Sequence, residues 1–134
     1  MISVLDGDTI KVTSKSKLYK VRLSSIDAPE INQPFGKESK RKLFDFIHGK
    51  SVKIEKIGFD KYGRVIGIVY LNNNDINLEM IKTGYAWAYK KYLKNLPKVK
   101  EKKYLESQKN AFKNKLGLWV DSNQVPPWKW RRIK

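Results

Sequence analysis

Two acidic residues interrupt an apolar strand pattern near the start of this 134-residue chain. In the stretch VLDGDTIKV, residues 4–12, apolar and polar side chains alternate as they do in a strand with one buried face. Asp6 and Asp8 fall in the middle of the apolar face. Neighbouring carboxylates repel each other, and burying them costs free energy unless positive charge lies close by. The pattern therefore requires a cationic partner for these two acids.

Apolar periodicity, together with glycine and proline positions, divides the chain into strands and helices. Strands are predicted over residues 2–13, 18–26, 52–55 and 64–71, and helices over residues 37–48, 78–83 and 97–116. One more strand is expected, either where the first strand bends through Gly7 or within residues 84–88. This order predicts an α+β domain in which a small five-stranded barrel carries about three helices.

The chain length predicts a single domain over residues 1–134. Leu105, Phe112 and Leu116 mark an apolar stripe on the last helix, which we expect to face the core. Beyond that helix, from about residue 120 to residue 134, two adjacent prolines predict an extended tail.

A strong positive charge favours polyanionic partners. The net charge is +16, and residues 80–134 hold 15 of the 29 Lys and Arg but only 3 of the 13 Asp and Glu. Such a distribution favours nucleic acid or an anionic membrane surface. No apolar run approaches the roughly 18 residues of a membrane span, so we expect no membrane-spanning role.

The near absence of histidine and cysteine excludes several chemistries. The chain has no cysteine and one histidine, His48, near the end of a predicted helix. A zinc site with nitrogen and sulfur ligands, a Ser–His pair and a Cys–His pair therefore all lack parts. Hydrolysis by this chain has to use carboxylates, arginines and a hard cation that prefers oxygen ligands.

Three short segments contain those groups. They are Asp6-Gly7-Asp8-Thr9, the segment RLSSIDAPE at residues 22–30, and DKYGR at residues 60–64. Together they resemble the three signature blocks of the staphylococcal nuclease (thermonuclease) family, in the same order. The resemblance runs from Ile2 to about Trp119. It implies a five-stranded barrel of the oligonucleotide-binding (OB) fold with about three helices. It also implies Ca²⁺-dependent hydrolysis of DNA and RNA phosphodiesters that leaves 3′-phosphates.

The resemblance also implies roles for individual residues. Asp8 and Asp27 would bind Ca²⁺, Ala28 would add its backbone carbonyl, and Asp6 would act from the outer shell. Many relatives have threonine where Ala28 stands, a change that keeps the carbonyl and removes a hydroxyl. The catalytic residues implied are Arg22, Glu30 and Arg64. Glu30 would orient or deprotonate the attacking water, while the two arginines would bind the phosphate.

Substrate contacts are expected from two further places. Lys61 and Tyr62 match positions that touch the terminal phosphate in the family. Either Tyr89 or Tyr92 would contact a nucleobase, because aromatic rings stack on bases while neighbouring lysines follow the backbone. We expect single-stranded or frayed DNA and RNA as partners, a monomeric protein, and a secreted or cell-envelope location with the leader missing.

Two other classes of protein are compatible with parts of the sequence. A non-catalytic nucleic-acid-binding module of the OB fold would need no acids, whereas Asp8, Asp27 and Glu30 are all present. A basic protein of anionic membrane surfaces would need a helix with a free apolar face.

Overall fold

The structure is a computed structural model that describes residues 2–133. This part of the chain forms a mixed sheet, a small two-stranded sheet and five α-helices. The strands are β1 (Ile2–Asp6), β2 (Thr9–Ser14), β3 (Lys17–Leu23), β4 (Ile26–Asp27), β5 (Lys53–Phe59), β6 (Val65–Leu71), β7 (Asn74–Asp75) and β8 (Trp87–Ala88). The helices are α1 (Gly36–Ile47), α2 (Ile76–Lys82), α3 (Lys90–Leu93), α4 (Lys98–Lys113) and α5 (Pro127–Ile133), with a 3₁₀ helix over Gly117–Val120.

The main sheet follows the strand order β1-β2-β3-β6-β5, and β7 pairs with β6. All of these pairs are antiparallel except β3 with β6, where Val21 lies opposite Val65 and Leu23 opposite Gly67. The short strands β4 and β8 pair separately. This arrangement confirms the predicted α+β class built on an OB-type sheet, including the extra strand expected within residues 84–88.

The predicted strand over residues 2–13 divides into β1 and β2, because the chain reverses in its middle, at the Gly7 bend that was the other place expected for an extra strand. Asp6 lies opposite Thr9 in the β1–β2 pair, so Gly7 and Asp8 form the turn. The Asp6 carboxylate accepts a hydrogen bond of 3.0 Å from the backbone N–H of Asp8, as aspartate side chains commonly do in turns. The two acids therefore lie at the end of a strand. The sequence pattern had predicted that they lie on the face of one continuous strand.

The three predicted helices correspond to α1, α2 and α4. The predicted core face of the last helix is right for Leu105, which packs against the core, but wrong for Phe112 and Leu116. Tyr104 and Ala111 are the buried residues of α4, whereas Phe112 and Leu116 are 51% and 41% exposed. Tyr104 can face the core because its hydroxyl donates to the Asp75 carboxylate at 2.7 Å, which satisfies the polar end of the ring.

The predicted extended tail is also wrong, since residues 127–133 form helix α5. Its prolines stand at the helix start, where a missing backbone N–H removes no helical hydrogen bond. The carbonyl of Pro126 accepts from the N–H groups of Lys129 and Trp130. Proline thus begins this helix instead of preventing it.

The buried side chain of Asn77 connects α2 to the sheet. Its amide nitrogen donates to the carbonyls of Ser24 and Gly67, and its oxygen accepts from the N–H of Val69. These bonds fix the corner between β3 and β4, just after Arg22 and just before Asp27. Asn77 is fully buried, so water cannot replace these bonds.

Replacing Asn77 with alanine is expected to lower the free energy of unfolding by roughly 3 kcal/mol or more. The change removes the side-chain partner of two buried backbone groups, the carbonyl of Ser24 and the N–H of Val69, each worth about 1–3 kcal/mol, whereas the carbonyl of Gly67 still accepts from the N–H of Ser24. Urea denaturation followed by circular dichroism measures the loss, and Asn95→Ala, at an exposed position, serves as the control. Equal midpoints for the two variants would show that the corner does not depend on Asn77.

Within residues 2–133 no helix combines the length and the hydropathy that crossing a membrane requires.

Candidate functional site

The β1–β2 turn brings Asp6 and Asp8 against the segment that follows β4. A Cβ atom on Gly7 would lie only 2.6 Å from the Cβ of Ala28 and 2.8 Å from that of Ser39, so the turn fits because this position is glycine. The carboxylate of Asp8 accepts a hydrogen bond of 2.8 Å from the N–H of Ala28. The first predicted block therefore contacts the second directly.

Arg22 joins the two acids predicted to bind a cation. Its Nη2 lies 3.5 Å from a carboxylate oxygen of Asp8 and 3.3 Å from one of Asp27. Its Nη1 donates to the backbone carbonyls of Leu23 and Ile26 at 2.6 and 2.9 Å. Both carboxylates thus share one guanidinium, which supplies the positive charge that the sequence pattern required.

Glu30 lies at the open side of this group. Asp27 is fully buried at the end of β4, where it pairs with Trp87 of β8. Three residues later the Glu30 side chain is 36% exposed, and its backbone N–H donates to the Gln33 side chain at 3.0 Å. One carboxylate is therefore held inside the protein while another faces solvent beside it.

The buried acids titrate differently from free carboxylates. Burial raises the pKa of Asp6 to about 7, and the negative charge of Asp8 adds to the rise. Burial alone would also raise the pKa of Asp8, but the Arg22 charge and several hydrogen bonds outweigh it and hold that pKa below its usual range. Near neutral pH, Asp8 is therefore ionised while Asp6 takes up a proton readily.

Asp27 shows the same competition between burial and charge. Burial raises the pKa of Asp27 to about 6, and the nearby Asp8 adds to the rise, although Arg131 and Arg22 act in the opposite direction. A buried carboxylate with a raised pKa is strongly attracted to any further positive charge that can reach it. Perturbed carboxylates of this kind are common at functional sites.

The donor atoms fit a hard divalent cation. Asp8 and Asp27 offer carboxylate oxygens, and the backbone carbonyl of the adjacent Ala28 would complete an oxygen-only set. Asp27 already binds a cationic group through both of its oxygens. No three acidic or histidine side chains within residues 2–133 meet at one point, so waters would have to fill the remaining positions.

Arg64 belongs to a second group of residues, and its contacts do not include Asp8, Asp27 or Glu30. Its Nε donates to the Asp60 carboxylate at 2.6 Å, and its guanidinium lies 5.6 Å from the centre of the Tyr62 ring. The ammonium of Lys61 lies 5.3 Å from the same ring, which is largely exposed. The turn between β5 and β6 thus presents the Lys61 ammonium and the Tyr62 ring to solvent, with the partly buried guanidinium of Arg64 beside them.

Tyr89 and Tyr92 lie next to the β3–β4 corner. The N–H of Tyr89 donates to the carbonyl of Ser25 at 2.9 Å, and the hydroxyl of Ser25 donates to the carbonyl of Tyr92 at 3.4 Å. The two rings meet edge to face, with centres 5.0 Å apart. The predicted base-contacting aromatics are therefore fixed to the same corner as Arg22 and Asp27.

Arg131 in α5 is a member of the site that the sequence did not predict. Its two Nη atoms bind both oxygens of Asp27, at 3.2 and 2.8 Å, and one of them donates to Glu30 at 3.1 Å. It was missed because it follows Asp27 by 104 positions and lies in a tail predicted to be extended. The only signal was the excess of basic residues near the C-terminus, which points to no particular residue.

Comparison with known proteins gives relatives that carry nuclease names. The family model described as staphylococcal nuclease homologue matches residues 20–121. An uncharacterized endonuclease of Haemophilus influenzae is 43% identical over 98% of this chain and 71% of its own length. The micrococcal nuclease of Shigella flexneri is 38% identical over 98% of this chain and 79% of its own length. An uncharacterized endonuclease of Escherichia coli is 38% identical over 100% of this chain and 84% of its own length.

Proposed function

The chain belongs to the staphylococcal nuclease family, and on that premise we propose that it is a Ca²⁺-dependent nuclease of DNA and RNA that leaves 3′-phosphates. The nuclease activity itself is supported by relatives named endonuclease and micrococcal nuclease. The observation that carries the proposal for this chain is that Asp8 and Asp27 share the guanidinium of Arg22, with Glu30 at the solvent side.

We propose that Glu30 accepts a proton from the attacking water. Because its side chain is partly exposed beside buried Asp27, water can reach it and still be held near the acids. The water oxygen bonds to phosphorus, the bond from phosphorus to the 5′ oxygen breaks, and the departing oxygen takes a proton from solvent. A carboxylate in this role needs no histidine, in keeping with a chain that contains only one.

The proposed role of the arginines is electrostatic. Attack on a phosphodiester concentrates negative charge on the non-bridging oxygens, so positive groups beside them bind the transition state more tightly than the substrate. Arg64 has a planar pair of donors on an exposed turn and suits direct phosphate binding. Arg22 holds Asp8 and Asp27 in place. A cation bound by these two acids would supply further positive charge for the phosphate.

We further propose that the substrate is single-stranded or frayed and that the protein acts as a monomer. Tyr89 and Tyr92 can stack on bases only where those bases are not paired inside a duplex. Lys61 and Tyr62, on the exposed turn, would contact a terminal phosphate. The basic excess of residues 80–134 attracts the polyanion as a whole.

The proposal is tested by incubating the protein with single-stranded DNA and with RNA in Ca²⁺, in Mg²⁺ or in chelator. We expect both polymers to be degraded in Ca²⁺ and to be stable in chelator. Phosphatase treatment and mass spectrometry of the fragments should place the phosphate on the 3′ end. Cleavage in chelator would refute the cation requirement. Tight binding without cleavage in every condition would instead favour a non-catalytic binding module.

A further inference from the structure

Helix α5 places the guanidinium of Arg131 against two carboxylates of the proposed site, Asp27 and Glu30. Arg131 binds Asp27 through two nitrogen–oxygen pairs and reaches Glu30 with one of the same nitrogens. Paired hydrogen bonds between arginine and a carboxylate are among the stronger polar contacts in proteins. Both oxygens of Asp27 are therefore engaged by a group from the other end of the chain.

The same helix covers an aromatic ring that the proposed function assigns to a nucleobase. Trp128 stacks on Tyr89 with ring centres 5.3 Å apart and planes 6° apart, the geometry of a stacked base. It also meets Trp87 edge to face at 5.3 Å. Just before α5, the carbonyl of Val125 accepts a hydrogen bond from the Gln33 side chain at 2.5 Å.

We propose that α5 is an autoinhibitory latch, in which Arg131 competes with a divalent cation for Asp27 while Trp128 occupies the base-stacking face of Tyr89. The inference rests on the proposed function, because it needs the cation and the nucleobase as competitors. The latch blocks two different ligands with two side chains of one helix, three positions apart.

Competition follows from the shared atoms. A divalent cation would bind Asp27 through a lone pair of a carboxylate oxygen. In the structure, N–H groups of Arg131 donate to both of these oxygens. Glu30 is engaged by the same guanidinium, so freeing Asp27 also frees the group proposed to accept the proton. The cation and Arg131 thus favour two different positions of α5, and each shifts the balance between them.

Three features of α5 favour opening of the latch: its short length, the exposure of Arg131 and its positive charge. Helix α5 has seven residues, too few to be stable without its contacts to the rest of the protein. Arg131 is 40% exposed, so solvent, and ions with it, can reach its guanidinium. Lys129, Arg131 and Arg132 are all cationic, and an arriving nucleic acid would attract the helix away from the acids. The substrate and the cation therefore both favour the open form.

The test compares Arg131→Ala with Arg132→Ala, which removes the same charge from the adjacent exposed position. Ca²⁺ affinity is measured by titration calorimetry, with no nucleic acid present. If the latch is closed in about nine molecules of ten, Arg131→Ala should bind Ca²⁺ about tenfold more tightly than the unmodified protein. Arg132→Ala should bind it unchanged. Arg131→Lys keeps the charge but loses the paired geometry, so its Ca²⁺ affinity should lie between those of the unmodified protein and Arg131→Ala.

A second measurement follows the helix itself. Brief trypsin digestion read by mass spectrometry reports how often the chain is cut after Lys129, Arg131 and Arg132. In the unmodified protein, Ca²⁺ should increase these cuts several-fold. Arg131→Ala keeps only the sites after Lys129 and Arg132, and cuts at these two should be frequent with or without Ca²⁺. Circular dichroism confirms that each variant is folded.

The outcomes separate the latch from the proposed function. Equal Ca²⁺ affinities for all proteins, or cuts in α5 that Ca²⁺ does not change, overturn the latch and leave the nuclease mechanism standing. Weaker Ca²⁺ binding by Arg131→Ala also overturns it, because Arg131 would then support the cation site. If no protein binds Ca²⁺ at all, both the latch and the Ca²⁺-dependent mechanism are wrong.

Discussion

Glu30→Gln is expected to slow cleavage of single-stranded DNA by about 10²- to 10⁴-fold, the usual contribution of a positioned proton acceptor. Glutamine has nearly the shape of glutamate but cannot take up the proton of the attacking water. The side chain is partly exposed, so the fold should not change. Initial rates at saturating Ca²⁺ measure the effect, and gel shifts in chelator show whether DNA binding persists.

Glu38→Gln is the matched control, since Glu38 is exposed in the first turn of α1 and the same charge is removed. It should cleave at the unmodified rate. Glu30→Gln also weakens a contact with Arg131, which on its own would free the site and raise the rate. A large loss of activity therefore cannot come from the latch. A Glu30→Gln protein that keeps more than about a tenth of the rate would remove Glu30 from the role of base.

Arg64→Ala is expected to lower the same rate by about 10²- to 10³-fold, the typical loss when one donor to a transition-state oxyanion is removed. The turn should survive, because the Asp60 carboxylate also accepts hydrogen bonds from the backbone N–H groups of Tyr62 and Arg64. Burial alone would raise the pKa of Asp60, but these hydrogen bonds and the contact with the Arg64 side chain together outweigh it and hold that pKa below its usual range. The backbone hydrogen bonds remain in the variant, so the carboxylate stays ionised at neutral pH.

Arg41→Ala provides the comparison, because Arg41 forms the same kind of ion pair with a residue four positions away, Asp45, on an exposed helix. Any general effect of lost positive charge on DNA attraction appears in both variants. Arg64→Lys should recover only part of the activity, since an ammonium lacks the planar paired donors. If Arg64→Ala and Arg41→Ala cleave equally fast, Arg64 does not act on the phosphate.

The sequence predicted the acid–arginine group because its members are close along the chain. Arg22, Asp27 and Glu30 fall within nine residues, and Asp8 lies opposite them through a single hairpin. In such a segment, strand periodicity and turn chemistry determine most of the geometry. The family resemblance predicted only that Tyr89 or Tyr92 contacts a nucleobase, and their position at the same corner comes from the structure.

The features that the sequence did not predict depend on distant contacts. Pro126 and Pro127 are compatible with a loop or with a helix start, and the packing of Trp128 on Tyr89 accompanies the helix. The ion pair between Arg131 and Asp27 joins opposite ends of the chain, and no local pattern specifies it. On α4, the full burial of Tyr104 accompanies a hydrogen bond to Asp75, which lies far away in the sequence.

The parallel pairing of β3 with β6 has a consequence for the newly made protein. Val21 and Val65 are neighbours in the sheet although a helix and two strands separate them along the chain. Non-local pairings of this kind form late and slowly, because the intervening loop must first be closed. β3 carries Arg22 and β6 begins one residue after Arg64, so these two arginines reach their final places only once the two strands have paired. We therefore expect no cleavage from a chain in which β3 and β6 have not yet paired, and activity only from the native state.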